Sequence, residues 1–128
     1  MGGCVLRAWG DSFQPQLFLA GSSLEPCNVF IKGAPKSAGR TWDTSGLTVL
    51  VSDDADNFTQ QVTDAIEFLA SNRLELQRLK STVGIDGLSL DFGVSGKNCF
   101  LQNHFFPREL ISLAAEYSLA LEVSIYAS

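Results

Sequence analysis

The chain has 128 residues, of which 45% are hydrophobic and 18% charged, and its net charge is −5. That length suits one globular domain over residues 1–128, able to bury roughly two thirds of its unfolded surface, and the apolar content excludes a disordered chain. The acidic balance argues against nucleic acid or an anionic membrane as partner, since both select a basic face, and no apolar run approaches the roughly 20 residues that span a bilayer.

Met1-Gly2-Gly3 leads straight into an apolar run, Cys4 to Trp9, with Arg7 inserted. This reads as a first strand with no secretory leader before it. The Met-Gly-x-Cys start lacks the Ser or Thr that a myristoylation signal has at position six, where Leu6 stands. Asp11-Ser12 breaks the strand. Pro15 suits the first turn of a short helix that carries Leu17, Phe18 and Ala20 and stops at Gly21. Glu25-Pro26 is a turn, and Asn28 to Lys32 reads as a second strand. Lys32 to Trp42 is a loop by composition, with two glycines and one proline. Thr41 to Ser52 predicts one or two strands, with Leu47, Val49 and Val51 on one face.

Asp53, Asp54 and Asp56 precede a helical pattern, where carboxylates suit the positive end of the helix dipole. Phe58, Val62, Ala65, Ile66 and Leu69 form an amphipathic stripe. Asn72 and Glu75 have capping-box spacing, which predicts a second helix carrying Leu76 and Leu79. Gly84 to Gly87 is a turn. Leu88, Leu90 and Phe92 alternate with polar residues as in a strand, and Cys99 to Phe105 is expected to be its hairpin partner across a glycine-containing turn. Pro107 opens a helix bearing Leu110, Ile111, Leu113, Ala114 and Tyr117. Leu119 to Tyr126 alternates again as a closing strand. Strand-helix-strand units thus stand at both ends. The expected class is α+β, a mostly antiparallel sheet with helices packed on one face.

The chemical inventory is thin. Cys4, Cys27 and Cys99 are odd in number and widely spaced, as expected of reduced thiols in a cytoplasmic protein. His104 is the single histidine. A Cys99–His104 pair is conceivable, but residues five apart on a strand face opposite ways. Three cysteines and one histidine match the ligand count of a structural zinc site without its close Cys-x-x-Cys pairs. Asp54-Ala55-Asp56 lacks the glycine and closing glutamate of a calcium loop. Asp91-Phe92-Gly93 spells a kinase signature in a chain too short for a kinase. No phosphate-binding glycine motif occurs. No cofactor, no metal and no enzymatic activity are expected.

Two surfaces remain. Lys32, Lys36, Arg40 and Trp42 could hold an anionic group by charge-assisted hydrogen bonds and stacking, unless Trp42 simply folds back onto the core. Asp53, Asp54, Asp56, Asp64 and Glu67 form an acidic contact surface, unless they are only a solvated face.

The chain resembles the small bacterial proteins grouped as domain of unknown function 4279. The likeness covers most of the length. It rests on the opening strand with Gly10-Asp11-Ser12-Phe13-Gln14-Pro15, on Leu24-Glu25-Pro26, on Lys32-Gly33-Ala34-Pro35 and on Thr41-Trp42-Asp43-Thr44-Ser45. The amphipathic helices and the Pro107-led helix with its closing strand complete it. The resemblance implies a compact α+β domain with no established activity and no catalytic residues to carry over. Some such domains occur near toxin systems, which implies an immunity role.

The function expected from these features is protein binding without catalysis, as an immunity-type inhibitor that plugs the basic cleft of a toxin through the acidic surface. The alternative is a regulatory or small-ligand module that holds an anionic ligand at the Lys32 to Trp42 loop.

Overall fold

A computed structural model describes residues 2–127. In chain order its elements are β1 (Gly3–Gly10), α1 (Pro15–Leu19), β2 (Asn28–Phe30), β3 (Pro35–Ser37), β4 (Arg40–Thr41), β5 (Ser45–Ser52), α2 (Phe58–Ser71), α3 (Arg73–Lys80), β6 (Gly87–Ser95), α4 (Arg108–Glu116) and β7 (Ala120–Tyr126). The class is α+β. Five strands form one sheet in the order β2-β5-β1-β6-β7, and β3 and β4 form a separate hairpin. All pairs in the large sheet are antiparallel except β6 with β7.

β1 occupies the centre. Cys4, Leu6 and Ala8 point to one face and are fully buried, while Val5, Arg7 and Trp9 point to the other. Leu6 pairs with Val49 on β5 and with Leu90 on β6, and Ala8 with Leu47 and Leu88. That apolar row meets α1 through Phe18, α2 through Val62, Ala65 and Leu69, α3 through Leu76 and Leu79, and α4 through Leu110 and Ala114. Each such side chain contributes about 1.5–3 kcal/mol by leaving water. The strand-helix-strand units at the two ends differ. β6-α4-β7 joins neighbouring strands, whereas β1-α1-β2 crosses over β5.

Three local expectations are corrected. Cys99 to Phe105 is irregular and forms no hairpin with β6. Both edges of β6 are already taken, by β1 and β7, so no ladder is open to it. The Lys32 to Trp42 loop contains the β3–β4 hairpin, turned at Ala38 and Gly39, which both have positive φ. Asn72 does not start a capping box. Its amide donates to the Phe68 carbonyl at the end of α2, because α3 follows with no residue between to do so. Glu75 instead accepts from Ser22 Oγ and Arg78.

The described residues include no helix long and apolar enough to cross a membrane. Tyr117 is fully buried, and its hydroxyl accepts from Arg73, which also pairs with Glu116 at 3.0 Å. This group ties the start of α3 to the end of α4. Burial pushes the Tyr117 phenol up from its usual value.

Gly10 shows where the backbone itself is the constraint. A Cβ there would stand 1.8 Å from the Gly84 carbonyl oxygen. Gly10→Ala is expected to cost about 1–3 kcal/mol by overpacking, read as a lower urea midpoint. Gly21→Ala, whose Cβ would meet only Arg78 Nη2 at 3.5 Å, is expected to stay within about 0.5 kcal/mol. Equal midpoints for the two variants would show that the Gly10–Gly84 approach is not a constraint.

Candidate functional site

A groove of about 760 Å³ runs between α2 and the irregular segment before α4. Phe58, Val62, Ile66, Phe105 and Pro107 make its apolar wall, and Asp56 and Asn57 stand at its mouth. The α2 sequence builds one side, since Phe58, Val62 and Ile66 recur every fourth residue. His104 builds the other and packs on Phe58 with ring centroids 4.8 Å apart. Phe106 packs edge-on against Phe58 and Phe92. Phe105 turns outward and is 74% exposed, and Leu101 and Phe100 in the same irregular segment are also exposed.

Of the five acids, Asp56 lines this groove, and none of the five acts as a dipole partner of α2 from its first turn. The N-cap of α2 is Asn57, whose side chain accepts from Gln60 N, and the first turn holds no acid. Asp54 instead accepts from the backbone of Asp56 and Asn57, folding the loop on itself. Asp64 accepts from Ser52 Oγ and Gln60 Nε2, which holds its carboxyl below the usual range. Asp53, Asp56 and Glu67 are exposed. Among the described residues none of these five acids has a cationic partner.

A buried glutamine fixes the loop. Gln61 is fully buried, and its Nε2 donates to the Asp54 carbonyl at 2.8 Å and the Gly93 carbonyl at 2.9 Å. It bridges the acidic loop to β6. Its Oε1 finds no partner among the described residues. The apolar stripe of the helix gave no signal for it, since Gln61 sits between Phe58 and Val62 on the same side.

The basic loop is dispersed. Lys32 pairs with Asp11. Lys36 stands 4.7 Å over the Trp42 ring, and Phe30 stacks on that ring with centroids 4.3 Å apart. Lys36 and Arg40 share only a shallow hollow of about 330 Å³ under the hairpin. Trp42 lies over the sheet face opposite the helices, so the choice between core and loop contact is resolved in neither direction. On that same open face a pocket of about 300 Å³ is lined by Arg7, Trp9, Phe30, Lys36, Trp42 and Glu122, with Asp43 and Thr44 at its edge. Arg7, Trp9 and Glu122 are not evident as site residues in the sequence. The available signal was the two-residue spacing of Arg7 and Trp9 on an otherwise apolar strand.

The Cys99–His104 pair is not assembled. Cys99 Sγ lies 3.2 Å from the Leu101 carbonyl, and His104 Nε2 lies 2.8 Å from Gln102 Nε2. Among the described residues no three His, Cys, Asp or Glu side chains gather as metal ligands.

Two predictions follow from burial. Cys4 is buried and its thiol is pushed up chiefly by desolvation, with Asp91 and Asp64 adding to the shift, whereas Cys27 and Cys99 are exposed. A thiol-reactive reagent should therefore label Cys27 and Cys99 in the native protein and Cys4 only after unfolding; native labelling of Cys4 would contradict the packing. Gln61→Met should lower stability by about 1–3 kcal/mol, because two carbonyls lose their donor. An unchanged denaturation midpoint would show that the bridge contributes nothing.

No protein-family model, no curated protein and no solved structure matches this chain.

Proposed function

We propose that this protein is a non-catalytic protein-binding domain, and that its contact surface is the groove along α2 with the acidic loop at its mouth. The observation that supports this reading is an apolar groove with Asp56 in its lining, on a loop and helix whose five acids have no cationic partner among the described residues. Apolar anchors of a partner would fill the space between Phe58, Ile66 and Phe105, and its basic groups would meet Asp53, Asp56 and Glu67. The net charge of −5 would steer a basic partner to the surface. An immunity-type inhibitor of a basic toxin, acting in a bacterial cytoplasm, is the specific role these properties suit. Membership of the domain of unknown function 4279 family belongs to the same proposal. It is supported by the quoted motifs, of which Gly10 falls at a backbone approach with no room for a side chain.

The test is co-expression with the basic proteins encoded beside this one, with capture through a tag on this chain. A partner is expected to co-purify, and its affinity to fall about tenfold or more in Phe105→Ala and to weaken with salt. Asp53→Asn with Asp56→Asn is expected to slow association more than it speeds dissociation. Capture that survives these substitutions unchanged would place the contact elsewhere, and elution of the chain alone against every neighbour would remove the reading.

A further inference from the structure

The open face of the sheet carries a second constructed site, independent of the groove. Both tryptophans of the chain, Trp9 and Trp42, line its 300 Å³ pocket, a volume at the lower end of small-molecule sites. Two glycines make room for the aromatic layer. Trp9 pairs across the sheet with Gly46 on one side and Gly87 on the other. A Cβ on Gly87 would come within 2.1 Å of the Trp9 ring, and one on Gly46 within 2.4 Å of Phe30. The rings therefore lie down on the sheet, and Trp42 stacks above Phe30. Trp42 has Phe30 against its ring and Lys36 over it, so the pocket draws its apolar wall chiefly from Trp9.

The charges around this wall are arranged in both signs. Arg7 Nη1 donates to Asp91 Oδ2 at 2.9 Å, and Asp91 is buried and also accepts from Ser124 Oγ. This fixes the guanidinium through Nη1, while Nε and Nη2 have no hydrogen-bond partner among the described residues. Glu122 Oε1 accepts from Ser89 Oγ and lies 3.8 Å from Arg7 Nη1, and its Oε2 has no partner among the described residues. Lys36 and Asp43 belong to no ion pair among the described residues. With Arg7 and Asp91 compensating each other, Lys36 faces the pocket as a cation and Glu122 and Asp43 as anions. A simple anion would be opposed by the two carboxylates, and a simple cation by Lys36. A ligand that carries both charges satisfies both sets.

We propose that this pocket binds a small zwitterion with an apolar or aromatic side chain, the chemistry of a free amino acid. Its carboxylate takes the spare donors of Arg7 and the Lys36 ammonium. Its ammonium group meets Glu122 and Asp43, and its side chain covers Trp9.

The chain reports on this site by itself, because both indoles are in it and none is in the groove. Tryptophan emission is titrated with L-phenylalanine and L-leucine, and with phenethylamine and 3-phenylpropionate as analogues that keep one charge each. A saturable change is expected for the zwitterions, about tenfold weaker for either analogue, since each lacks one charge-assisted contact. Lys36→Gln and Glu122→Gln, at exposed side chains, are each expected to weaken binding about tenfold, while Phe105→Ala in the groove leaves it unchanged. The proposal is overturned if neither amino acid gives a saturable change, if an analogue binds as tightly as the zwitterion, or if both pocket variants bind as wild type.

Discussion

Everything in this fold depends on one strand serving two environments. β1 is paired on both edges, so it has no freedom to slip, and its alternate residues define the two faces of the sheet. Cys4, Leu6 and Ala8 anchor the helices, while Arg7 and Trp9 are delivered to the opposite face by the same two-residue period. A slip of one residue would exchange them and bury a guanidinium under α2. The apolar row of β5 and β6 opposite Leu6 and Ala8 excludes that register. The irregularity between Cys4 and Val5 ends the regular register near Ser52, whose hydroxyl then reaches Asp64 on α2.

The open face is shaped by what is missing as much as by what is present. A sheet surface with a Cβ at positions 46 and 87 would leave no place for Phe30 and Trp9 to lie flat. Trp42, which follows the β3–β4 hairpin, stacks on Phe30 there, while the five strand residues of the hairpin itself stay exposed. Lys32, Lys36 and Arg40, clustered in sequence, separate in space: Lys32 leaves toward Asp11, and the turn at Ala38 and Gly39 carries Arg40 outward.

Much of this was legible from local patterns. The alternation of Leu88, Leu90 and Phe92, the helical stripe from Phe58 to Leu69 and the proline before α4 each have a single physical meaning, and each marks the element it predicts. What failed was pairing and side-chain choice. Cys99 to Phe105 has the composition of a strand, but strand formation needs an open ladder, and the parallel addition of β7 had closed it. Asn72 does precede a helix, α3 from Arg73, but the end of α2 claims its side-chain amide and the capping box does not form. The open-face pocket joins Arg7, Trp42 and Glu122 from three distant stretches. No local window contains that arrangement. Asp91, readable only as part of a chance kinase signature, turns out to be the carboxylate that holds Arg7.

The distribution of charge gives the two faces different characters. Arg7, Lys32, Arg73 and Arg78 are all held by carboxylates, so much of the positive charge is compensated where it stands. The acids from Asp53 to Glu67 have no cationic partner among the described residues and lie within one loop and the helix it opens. The excess of −5 is therefore concentrated at the α2 end, where its field reaches about one Debye length into solution, and is weak across the open sheet face, where signs alternate within a few ångströms. A field of that kind attracts macromolecules from a distance. A mosaic of that kind discriminates between small molecules at contact. The two surfaces lie on opposite sides of one sheet, and Gln61 ties the acidic loop of the first to the Gly93 carbonyl of β6.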